Sequence, residues 1–128
     1  MAKKSKAKEV IMLFLISLAI ILIFAAIDYL THSLKAEYSV PPRYFPNKIL
    51  YGTIIGFIAL LIFRKQKPLT KSLIFSAAIS IILQARYYFE GYPKSFVFLF
   101  LGIHFAILLA TSFACFKIME KNKIKLLS

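Results

Sequence analysis

Four apolar runs, Val10 to Leu30, Pro46 to Phe63, Leu69 to Phe89 and Ser95 to Met119, leave this chain little to fold into except a bundle of membrane-crossing helices. About 20 residues of helix cross a hydrocarbon core of about 30 Å, and in that medium every backbone N–H must be satisfied within its own segment. The expected fold class is all-α: a polytopic membrane protein, a four-transmembrane-helix bundle, with residues 1–128 as one membrane domain. The second run is the shortest. Its purely apolar part, Ile49 to Phe63, spans only ~22 Å as a helix. Pro46 then falls in the first turn, where its missing N–H costs nothing, and Lys48 is expected to snorkel outward to the interface. No small-x-small cleavage site follows the first run, so it is expected to remain as a helix.

Charge orients the bundle. Lys3, Lys4, Lys6 and Lys8, then Arg64, Lys65, Lys67 and Lys71, then Lys117, Lys121, Lys123 and Lys125 put twelve cations on one side. Five (Lys35, Arg43, Lys48, Arg86, Lys94) fall on the other. This bias predicts that both termini are cytoplasmic, and it speaks against the small dual-topology exporters and fluoride channels, whose charge is nearly balanced. The net charge of +12 sits in clusters at the ends of apolar runs, where anionic headgroups rather than nucleic acid are the nearer partner. Cys115 is the single cysteine, so thiol–disulfide chemistry within the chain is excluded. Walker, Rossmann, H-E-x-x-H and G-x-S-x-G motifs are absent from the sequence, which gives no support to nucleotide use or the common hydrolase chemistries.

Short connections at Arg64 to Pro68 and Glu90 to Lys94 predict antiparallel hairpins for helices 2/3 and 3/4, with Gly91 and Pro93 as turn formers. The segment Thr31 to Phe45 is longer. Pro41-Pro42 hold it extended, and Tyr38, Val40, Tyr44 and Phe45 suit either a cap on the bundle or a set of aromatic anchors at headgroup level. Small residues mark close helix contacts: Gly52 and Gly56 on helix 2, Gly102, Ala106, Ala110 and Ala114 on helix 4, and the ladder Ser72, Ser76, Ser80 on helix 3. They are expected to seal the bundle internally; homodimerisation is their alternative use.

All seven tyrosines, with Asp28, His32, Glu37, Gln84, Arg86 and Glu90, fall in the outer half of the membrane. Arg86 and Glu90 are spaced i, i+4 and can pair; alternatively, the arginine ties helix 3 to Asp28 of helix 1. With Gln84, Tyr87, Tyr88 and Glu37 they make the expected ligand-binding set, the arginine being suited to a phosphate or carboxylate headgroup. Asp28 and His32, also i, i+4, are candidate catalytic residues as a proton-transfer dyad or as metal ligands, although a third ligand is not evident. His104 lies ~14 Å into helix 4 and is expected to hydrogen-bond a serine of helix 3. Its depth differs from that of His32 by ~10 Å, which speaks against a bis-histidine haem, and neither a metal nor another cofactor is expected.

The stretch Ser39-Val40-Pro41-Pro42, followed by Gly52-Thr53 on the second span, resembles the Insig family, in which a Val-Pro-Pro segment follows the first helix and a Gly-Thr lies on the next. The resemblance covers the first two helices; the family's paired tryptophans and cysteines are missing and it has six spans. It implies binding of a sterol-like lipid and of partner membrane proteins. The leading expectation is therefore non-enzymatic binding of a lipid, an amphipathic ligand or a partner membrane protein through an outer polar-aromatic pocket roofed by residues 31–45. The alternatives are a membrane-embedded lipid-headgroup hydrolase or transferase using Asp28 and His32, and an assembly subunit packing through its small-residue stripes.

Overall fold

The computed structural model describes residues 6–121; Lys3, Lys4, Lys123 and Lys125 of the basic clusters lie outside the described residues. Four helices follow one another: α1 Lys6–His32, α2 Tyr44–Phe63, α3 Pro68–Phe89 and α4 Lys94–Lys121, with a 3₁₀ turn at Ala36–Tyr38 between the first two. Each is long and apolar enough to cross a bilayer, and the chain is a polytopic membrane protein with an all-helical bundle fold. Helix α1 packs on α2 and α4, and α3 packs on α2 and α4, so the four stand in a ring. The end carrying the 33–43 loop and the 90–93 turn is the distal end; the 64–67 turn is at the proximal end.

The turns stop and restart the helices by local chemistry. Pro68 opens α3 at a position whose N–H would have no partner in any case. At the other end Gly91, at φ +90°, takes the left-handed conformation that a side chain resists. Tyr92 N–H then donates to Tyr87 O at 3.2 Å and Gly91 N–H to Tyr88 O at 3.2 Å, capping two carbonyls before α4 starts.

Leu13, Ile20, Ile21, Phe24, Leu60, Phe75, Ile79, Leu83, Leu108 and Phe116 fill the centre. Ile11, Leu15, Leu22, Ile58, Ile62, Ile81 and Ile118 are exposed, as lipid-facing side chains must be. Because lipid is as apolar as the core, burial alone does not hold the helices together; close packing and polar contacts do. Gly52 lets Ile21 approach, and Gly56 accepts Ser17 and the Phe75 ring. Ser17 Oγ donates to Thr53 O at 2.9 Å across the α1/α2 seam. In the serine ladder, Ser76 meets Ser112 of α4 at 3.4 Å, while Ser72 and Ser80 bond their own helix, to Leu69 O and Ser76 O.

The helix 4 stripe departs from expectation. Gly102, Ala106, Ala110 and Ala114 are exposed, and a Cβ built on Gly102 meets nothing within 4 Å among the described residues. The inward face of α4 is Val97, Phe100, His104, Leu108, Ser112, Phe116 and Met119. A residue two positions from His104 is turned about 200° around the helix, so a stripe beginning at Gly102 points away from the bundle. Spacing alone defines a face but not its direction.

The 33–43 loop lies on the distal end as a roof. Tyr38 sets its ring edge-on to Phe100 of α4 at 5.2 Å, and Val40 and Phe45 pack against a small cluster of Tyr44, Tyr87 and Val97. Tyr44 and Tyr87 stack at 4.7 Å, joining the start of α2 to the end of α3.

Candidate functional site: a buried Asp–Lys–His cluster

One turn below the roof, three of the four helices send a polar side chain to a single point. Asp28 and His32 come from the last turns of α1, Lys48 from the first turns of α2, and His104 from the third turn of α4. Asp28, Lys48 and His104 have 0 % of their surface exposed and His32 has 5 %. The Lys48 ammonium bonds Asp28 Oδ2 directly. His32 Nε2 lies 3.3 Å from that oxygen, and His104 Nε2 lies 2.9 Å from Oδ1 of the same carboxylate. Lys48 Nζ is also 3.2 Å from His104 Nε2.

Aromatic rings seal the cluster. The His32 ring stacks on Phe100 at 4.2 Å and 3°. Phe24 meets His104 edge-on at 5.2 Å, and the Lys48 ammonium lies 3.9 Å from the Tyr44 ring centroid and 5.3 Å from that of Phe24. A carboxylate and an ammonium in contact cancel each other's charge, and cation–π contact supplements the pair where water is excluded. The roof is tied to this cluster by a single bond: His32 Nδ1 to the Tyr38 carbonyl at 2.7 Å. A carbonyl only accepts, so Nδ1 carries the proton that it donates.

The cluster is under-satisfied. Asp28 Oδ1, His32 Nε2, His104 Nδ1 and Tyr44 OH have no aligned hydrogen-bond partner among the described residues.

Three expectations from the sequence are corrected here. Lys48 does not snorkel; it turns inward, because Asp28, twenty residues earlier, faces it across the α1/α2 seam. Asp28 is bound by α2 and α4, and Arg86 of α3 is not its partner. His104 meets that carboxylate rather than a serine of α3, and the His32 and His104 rings are 6.2 Å apart. The depth estimate failed because it set all helix ends at one level. Residues 37 and 38 of the roof share a pocket with Pro93, Ser95 and Phe96, so α4 begins level with the roof, above the end of α1.

The expected ligand-binding set is spread over the distal end. Arg86 and Glu90 pair at 3.0 Å but are 42 % and 43 % exposed, with the guanidinium 5.1 Å from the Tyr51 ring. Gln84 is buried and donates to Val97 O at 2.8 Å, Tyr87 is buried against Tyr44, and Tyr88 is exposed. Gln84 and Tyr88 line an apolar groove of 240 Å³ between α3 and α4. Glu37 lines a different pocket, of 270 Å³, with Tyr38, Pro93, Ser95, Phe96 and Leu99. An ion pair as open as Arg86–Glu90 contributes little, so Arg86→Ala is expected to change stability by less than ~1 kcal/mol in a thermal melt in detergent. A larger loss would show the pair to be a structural tie.

Sequence reasoning did not assign Lys48 or the sealing rings of Phe24, Tyr44 and Phe100 to this site, and it kept His104 apart from Asp28 and His32. A signal for Lys48 existed: an aspartate inside a span requires a counter-charge, and Lys48 lies at a matching depth one helix later. No family model, curated protein or solved structure matches this chain, and the reading of the site rests on its own geometry.

Proposed function

We propose that this multi-pass membrane protein is a non-enzymatic binding protein that receives the cationic head of an amphipathic ligand in the distal pocket between its roof and the start of α4. The observation that carries this reading is the pocket of 270 Å³ lined by Glu37, Tyr38, Pro93, Ser95, Phe96 and Leu99. Glu37 is the charged group among these lining residues, which also include the aromatic rings of Tyr38 and Phe96. Carboxylate and aromatic faces together recognise an ammonium, while Phe96 and Leu99 offer the tail a path into lipid. Lys35 already samples this chemistry, 3.7 Å from the Glu37 carboxylate and 5.5 Å from the Tyr38 ring. Both partners are largely exposed, so a ligand displaces Lys35 at little cost. The ligand class thus differs from the anionic headgroup that Arg86 suggested, because Arg86 is not among the residues lining this pocket.

The buried cluster favours binding over turnover. Its acid, base and ammonium are sealed and mutually neutralised, so they reach no substrate unless the roof opens. Its role here is to hold Tyr38 in place through His32. The excess of lysine and arginine at the proximal end supports cytoplasmic termini and a distal pocket facing away from the cytoplasm.

Native mass spectrometry with dodecylamine tests the reading. One saturable adduct per chain is expected, weakened about tenfold in Glu37→Gln, since a charge-assisted contact is lost. Equal retention of dodecylamine and dodecyl sulfate, unchanged in Glu37→Gln, would refute it. A second reading, a lipid-headgroup hydrolase or transferase, draws on the convergence of His104 with Asp28 and His32; it requires turnover that His32→Ala abolishes.

A further inference from the structure

Asp28, His32 and His104 each present a ligand atom, and these atoms lie within 4.8 Å of one another. Tetrahedral zinc, with bonds of about 2.0–2.1 Å to nitrogen and oxygen, holds neighbouring donors about 3.3 Å apart. Here Oδ2 of Asp28 lies 3.3 Å from His32 Nε2 and Oδ1 lies 2.9 Å from His104 Nε2, so the carboxylate reaches both rings, one oxygen to each, at close to that spacing. For His32 the outer shell is also in place: Nδ1–H donates to the Tyr38 carbonyl, which in the neutral ring leaves an Nε2 lone pair facing the carboxylate. Two acceptors face each other there, an arrangement that only a proton or a cation between them makes favourable. Nε2 of His32 and Oδ1 of Asp28 are among the sealed atoms without an aligned partner.

We propose that Asp28, His32 and His104 form a divalent transition-metal site of the zinc class, and that Lys48 is its built-in competitor, its ammonium occupying the place of the ion. Lys48 Nζ contacts Asp28 Oδ2 and stands 3.2 Å from His104 Nε2, among the same donors. Metal entry displaces the ammonium from the carboxylate. The lysine has somewhere to go: side chains tilt toward the N-terminus of their helix, which for α2 is the distal end, one turn away at Tyr44. Its aliphatic stem then lies along the aromatic rings and its charge reaches the interface, so the site alternates between a tethered cation and a free one. Three protein ligands leave a fourth position, and the surplus positive charge suits an anion there.

The test is a titration of the full-length, chelator-treated protein in mild detergent with Co²⁺, read by its visible absorption, with Zn²⁺ as competitor. One ion per chain is expected for the natural sequence, at least tenfold tighter binding for Lys48→Met, and loss of binding in His32→Ala and His104→Ala. Zn²⁺ should also raise the melting temperature of Lys48→Met. For the natural protein, Zn²⁺ should expose Lys48 to an amine-reactive reagent that leaves it untouched in chelator. Binding that survives His104→Ala, or a natural protein in which saturating Zn²⁺ neither binds nor exposes Lys48, would overturn the proposal. The labelling arm needs no substitution, so it decides the matter even if a variant fails to fold.

Discussion

Lys48→Met is expected to cost ~3–5 kcal/mol of bundle stability in chelator, and Asp28→Asn introduced into the same chain is expected to restore much of it. The lysine and aspartate are fully buried and bonded to each other, so removing the lysine leaves a carboxylate in an apolar interior with no ammonium to balance it. His104 and His32 remain within reach of that carboxylate but replace only part of the lost interaction. Neutralising both partners removes the uncompensated charge while keeping a hydrogen-bonding side chain beside His104. A double-mutant cycle by thermal or denaturant melting should give a coupling energy of at least ~2 kcal/mol. Additive effects of the two changes would mean that the pair is not formed in the membrane.

Gly56→Leu should be the most damaging of the small-to-large changes, and its effect should appear as unfolding of the chain rather than as loss of association. A Cβ at position 56 would sit 2.5 Å from Ser17 Oγ and 2.6 Å from Phe75 Cε2. Neither neighbour gives way easily: Ser17 is committed to the Thr53 carbonyl, and Phe75 is fully buried against Phe116. The whole α1/α2/α3 junction must open, placing the loss at or above the upper end of the ~1–3 kcal/mol usual for overpacking. Gly102→Leu is the control. Its Cβ meets no described atom within 4 Å, so its melting should shift by no more than ~0.5 kcal/mol. Melting and size-exclusion chromatography on both variants check the contrast; a stable Gly56→Leu bundle would show that α1 and α2 do not approach as described.

The helices were legible because hydropathy and turn chemistry are local. Glu90-Gly91-Tyr92-Pro93 spells a helix stop and restart, and the chain obeys it with a left-handed Gly91. The direction in which a helix faces was less legible, since membrane helices are apolar all round: Gly52 and Gly56 point inward, whereas Gly102 and Ala106, equally small, point outward. The site was half legible. Asp28 and His32 share one helical face and could be paired from spacing. Lys48 and His104 join them through contacts 20 and 76 residues away from Asp28, which no spacing rule encodes. A lysine near the start of a short span satisfies two physical rules, snorkelling and charge pairing, and the position of Asp28 decides between them.

The most direct test of the polar cluster is amine-reactive labelling of the folded protein in mild detergent and chelator, read residue by residue by mass spectrometry. Lys35 and Lys94, both exposed at the distal end, should be modified, while Lys48 should stay protected until the protein is unfolded. Modification of Lys48 at the rate of Lys94 in the folded protein would place its ammonium at the interface and contradict the buried Asp28–Lys48–His104 cluster.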